Sequence, residues 1–116
     1  MQKMKTPTFD SDGYPSDETL KHINYWYTYY GWTPKEFLEF CEGAFNKNYG
    51  SWQIVKNFNN DLLNDKPFDA LRIAAGGWSG NESVIFQMEK TVFWTVLWKA
   101  SVCGGLFILD ADRAKA

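Results

Sequence analysis

Seven consecutive residues, Gly76, Gly77, Trp78, Ser79, Gly80, Asn81 and Glu82, hold most of what could be chemically unusual in this chain. A glycine-rich stretch leading into a helix leaves backbone N–H groups at a positive helix end, where a phosphate-bearing or carboxylate ligand could bind. The spacing matches neither GxxxxGKS/T nor GxGxxG, and no lysine follows. The same residues also read as a helix start. Ser79 would be the N-cap, Glu82 would complete a capping box, and Gly76 and Gly77 would turn the chain. That leaves Trp78 unexplained, so a third reading makes Trp78 the centre of a protein or peptide contact. Helix cap, aromatic contact and anion site all remain open on the sequence.

The other reactive side chains are sparse. His22 is the sole histidine, and Cys41 and Cys103 lack CxxC spacing, so no metal site is expected. An activated Cys103 would need a neighbouring base or cation, and His22 belongs to a distant helix. The stretch DSDG at 10–13 resembles the start of a calcium loop. Its glycine comes too early and the twelfth position is not glutamate, so a turn is expected. No serine sits in a nucleophile-elbow pattern. The expectation is a protein that is not an enzyme and carries no cofactor.

These residues must be held by one domain, because 116 residues is a common single-domain length. A chain of this size removes about two-thirds of its unfolded surface from water. Its 45% hydrophobic and 18% aromatic content is ample for a core, and with six tryptophans some rings are expected in a groove or patch. A net charge of −2 with mixed signs argues against a basic nucleic-acid surface. The start MQKMKTPTFDSDG has no apolar signal-peptide core, and the apolar runs near the end are too short to span a membrane. A cytosolic protein with reduced thiols, neither nucleic-acid-binding nor membrane-bound, is the expectation.

Residues 1–15, with Pro7, Gly13 and Pro15, read as an irregular arm, residues 16–110 as the domain and 111–116 as a tail. A first helix starts at Ser16 and runs through Leu20, Ile23, Tyr27 and Tyr30 to a stop at Gly31. A second, over 34–46, has Thr33 as N-cap, Pro34 at N1, Glu36 closing a capping box and Trp32 stapled to Phe37. Its apolar face carries Phe37, Leu38, Cys41, Ala44 and Phe45. Residues 47–68 fit a helix through Trp52, Val55, Asn59 and Leu62 or a strand through Trp52, Ile54, Lys56 and Phe58, with helix weakly favoured. Leu71, Ile73 and Ala75 mark a short strand, and Val84, Ile85 and Met88 a helix of about ten residues. That helix could continue through TVFWTVLW, but the β-branched and aromatic density there, with KASVCGG as a turn and LFIL as a second run, favours a C-terminal hairpin. The sum is a small α+β domain, a short antiparallel-containing sheet packed by two to four helices.

LRIAAGGWSGNESVI at 71–85, FWTVLW at 93–98, Ser101 and the glycine pair before LFIL resemble a family of short uncharacterised proteins of tailed bacteriophages and prophages. The likeness covers about residues 69–110. The family pattern has a basic or polar residue ahead of the second glycine pair, where this chain has Val102 and Cys103. The resemblance implies a phage accessory protein in the host bacterial cytoplasm. Its partner would be a host or phage protein, and host defence systems are among the targets such proteins block. The rival expectation is a small anionic-ligand binder using the backbone of Gly77 to Asn81. A third is self-association through an exposed hairpin edge.

Overall fold

The computed structural model describes residues 4, 6–26, 33–59, 66–102 and 105–115, which form four helices and a four-stranded antiparallel sheet. The α+β class is as expected. Helix α1 spans Asp17–Asn24, with the Ser16 hydroxyl accepting from the Thr19 amide at 3.1 Å. It ends at Asn24 rather than at Gly31, and Tyr27, Tyr30 and Gly31 lie outside the described residues. Trp26, just past the Tyr25 cap, is buried against Phe37 and Phe40.

Helix α2 spans Pro34–Ala44, and the Thr33 hydroxyl accepts from the Glu36 amide at 3.2 Å. It buries Phe37, Phe40, Cys41 and Ala44, so Cys41 is core as the helical spacing required. Trp32, the expected staple, falls outside the described residues.

The weakly favoured helix within 47–68 is corrected to a strand. Strand β1, Ser51–Phe58, pairs antiparallel with β2, Phe68–Ala74, from Ser51 opposite Ala74 to Val55 opposite Ala70. Both periods fitted the local sequence; the partner strand decided between them, which no local pattern records. Helix α3 spans Ser79–Glu89 and buries Val84, Ile85 and Met88.

TVFWTVLW does not form the expected strand. Val92–Leu97 is helix α4, followed by strand β3, Trp98–Val102, and strand β4, Leu106–Asp110. Thr91 causes the switch: its hydroxyl accepts from the Trp94 amide at 3.2 Å and donates to the Met88 carbonyl at 2.7 Å, starting a new helix one residue after Lys90 caps α3. Phe93 stacks on Phe37 and Trp94 sets its ring against Phe107, contacts that outweigh β-propensity. The hairpin is real but displaced along the chain, because Lys99–Val102, expected as turn, is strand.

Strand order is β1-β2-β4-β3. One sheet face carries Leu71, Ile73 and Leu109 against the helices, in a core joined by Ile23, Trp26, Phe37, Met88 and Leu97. The other face holds a smaller cluster of Phe68, Ala70 and Ile108. Beyond β4, a single 3-10 turn at Arg113–Lys115 follows, and Ala111 and Ala114 are buried in the main core. Among the described residues no helix is long and apolar enough to cross a membrane.

Candidate functional site

The seven motif residues form the passage from β2 into α3, and the structure gives several of them distinct structural roles. Gly76 has φ +69°, and a Cβ there would fall 1.6 Å from the Tyr49 carbonyl oxygen, so only glycine lets the two backbones meet. Gly77 also has positive φ, +79°, but faces open space. The expected cap is corrected: Trp78, not Ser79, is the N-cap of α3, with extended backbone and no side-chain cap bond. Ser79 is therefore the first helical residue, and the helix starts one residue earlier than a serine cap would place it.

The Trp78 ring folds back over its own helix. A Cβ on Gly80 would lie 2.4 Å from the indole six-membered ring, so the ring occupies the space a side chain would take. Two tyrosines complete the arrangement. Tyr14 stacks on Trp78 with centroids 4.9 Å apart, and Tyr49 lies 5.1 Å from the same ring. Tyr14 is 37% exposed and Tyr49 58% exposed, while Trp78 is half-buried.

Each tyrosine is held by a local turn. Asp10 accepts from the Asp12 and Tyr14 amides through Oδ1, and the Asp10 amide donates to the Tyr14 carbonyl. The DSDG stretch is thus the turn expected of it, and it presents Tyr14. Asn46 accepts from the Asn48 amide through Oδ1 and from the Tyr49 amide through its carbonyl, presenting Tyr49.

Asn81 ties this second turn to the motif. Its side chain is fully buried; Oδ1 accepts from the Asn46 amide at 2.7 Å, and Nδ2 donates to the carbonyls of Asn46 at 3.0 Å and Ala75 at 3.2 Å. Buried polar groups must be paired, and this amide pairs three backbone groups at once. Glu82 is exposed, and its amide donates to the Trp78 carbonyl. The motif therefore builds a platform of three rings from three separate segments.

Tyr14, Tyr49 and Asn46 were not singled out on the sequence. The signals that could have pointed to them are the two Asx-type turns, DSDGY and NKNYG, each of which places a tyrosine just past an aspartate- or asparagine-led turn. The other candidates take structural places. His22 is buried, accepting from the Met4 amide through Nε2 at 3.2 Å and packing on Trp26 and Phe40. Burial pushes the Cys41 thiol well above its ordinary value, which keeps it protonated and unreactive. Cys103 lies outside the described residues.

The platform offers area and ring faces rather than reacting groups. An incoming side chain could stack on the exposed parts of Tyr49 or Tyr14, whose rings rest against Trp78 and whose turns are hydrogen-bonded. Compared with protein-family models, curated proteins and solved structures, the chain matches none.

Proposed function

We propose that this is a non-enzymatic binding protein that engages a host or phage protein through the Tyr14–Trp78–Tyr49 platform. The observation that carries the reading is the convergence of three rings from separate segments, two of them substantially exposed. Aromatic anchors suit protein recognition because they bury a large area at small side-chain entropy cost. Holding them in place before binding removes part of the ordering cost of association. The resemblance of residues 69–110 to short tailed-phage proteins supports an accessory role inside an infected bacterium, with inhibition of a host defence system as its sharpest form.

Trp78→Ala is a poor test, since the ring also fills the space over Gly80. Tyr49→Glu is better, because that side chain is more than half exposed. A tagged wild-type protein should capture a partner from infected bacterial lysate, and Tyr49→Glu should lose it at least tenfold with little change in thermal midpoint. Equal capture by both proteins would remove the platform from consideration.

The anionic-ligand reading draws on one feature, the absence of a side-chain cap on α3. Two features weigh against it: the indole covers Gly80, and Glu82 places a carboxylate in the first turn. A salt-sensitive rise in thermal midpoint with inorganic phosphate would reverse that judgement.

A further inference from the structure

We infer that the free edge of β1 pairs with β1 of a second copy of this chain, giving a two-fold dimer with one continuous sheet. β1 ends the strand order, and no described strand pairs with its outer side. Its register with β2 is regular from Ser51 to Val55, and those five residues contain no charge and no proline. Exposed sheet edges normally carry charges, bulges or prolines that discourage pairing. Here such devices lie only at the far end of the strand: the register shift between Val55 and Phe58, Asn57 with φ +50°, and Lys56 held by Asp69. They limit the pairing stretch to 51–55 without blocking it.

The face beside this edge is shaped for an occupant. Ile54 is 53% exposed at a groove of about 320 Å³ between α2 and the sheet, floored by Leu38, Trp52, Leu71 and Ala114. Lys35 and Glu39 stand on its rim, both exposed, and neither forms an ion pair among the described residues. The choice of a second copy rests on that rim. In a two-fold contact each copy presents the same patch to the other, so the patch must contain its own complement, and this one carries both signs. The opposite edge, β3, is a weaker candidate because a register shift between Trp98 and Ala100 breaks its repeat.

Light scattering from low to high micromolar protein should show the mass rising from 13.4 kDa towards twice that value. Ile54→Lys should stay at the monomer mass, whereas Val102→Lys on the β3 edge should dimerise like wild type. Lys35→Glu should weaken the dimer at least threefold, and Lys35→Glu combined with Glu39→Lys should restore it. The charge-swap pair decides the matter even if Ile54→Lys folds poorly. A wild type that stays monomeric throughout, an Ile54→Lys variant that folds and still dimerises, a dimer lost with Val102→Lys, or a double swap that fails to recover would each overturn the proposal.

Discussion

Gly76 and Gly77 are adjacent and share a positive φ, yet their surroundings differ completely. At Gly76 a methyl group would have to displace the Tyr49 backbone, whereas at Gly77 it would meet only solvent. Gly76→Ala should therefore cost about 3 kcal/mol or more, from backbone strain plus the clash. Gly77→Ala should cost about 1 kcal/mol, from the left-handed conformation alone. Urea denaturation of the two variants measures the gap, and equal losses would mean that the turn carrying Tyr49 yields easily. The presence of a glycine turn and a helix start here was legible in the sequence, since both depend on neighbouring residues. What Trp78 touches was not, because Tyr14 and Tyr49 arrive through turns whose placement depends on the assembled domain. Asn81 shows the same limit. An asparagine near a helix start reads locally as loop chemistry, but its three hydrogen bonds lead to Asn46 and Ala75.

Helices α1 and α2 began where the sequence placed them because an N-cap is a bond between residues three apart, visible in a short window. The misreadings fell where tertiary partners chose between two local options. β1 became a strand by pairing with β2, and α4 became a helix through Thr91 and the aromatic contacts of Phe93 and Trp94. Thr91 can be tested directly. Thr91→Ala removes an acceptor for the Trp94 amide and a buried donor to the Met88 carbonyl, and it should cost about 1–2 kcal/mol in thermal or urea unfolding. Thr91→Ser keeps both hydrogen bonds and should recover most of that loss. A Thr91→Ala variant as stable as wild type would leave the aromatic contacts as the sole reason for α4.

The core joins helices from both halves of the chain to one sheet face, and Cys41 lies fully buried within it. Its thiol gives the whole fold an alkaline sensitivity. In the unfolded chain the thiol ionises near its ordinary 9.0, whereas the folded chain keeps the proton to a higher pH. Above that value the unfolded state binds fewer protons than the folded one, so this contribution to stability is intact below 9.0 and declines as pH rises, by at most about 1.4 kcal/mol per unit. Cys41→Ala should remove that slope while adding a constant packing loss, which denaturation on either side of pH 9.0 would separate. Parallel slopes in wild type and variant would mean that the thiol reaches water. The strand order β1-β2-β4-β3 also sets a timetable for synthesis. β1 and β2 can pair as soon as both have emerged, but the other side of β2 must wait for β4. At about 5–20 residues per second, the stretch between Ala74 and Asp110 takes roughly 2–7 s to translate. During that interval the nascent chain carries Leu71 and Ile73 on a half-paired strand, so a ribosome stalled between them would present a species suited to chaperone capture.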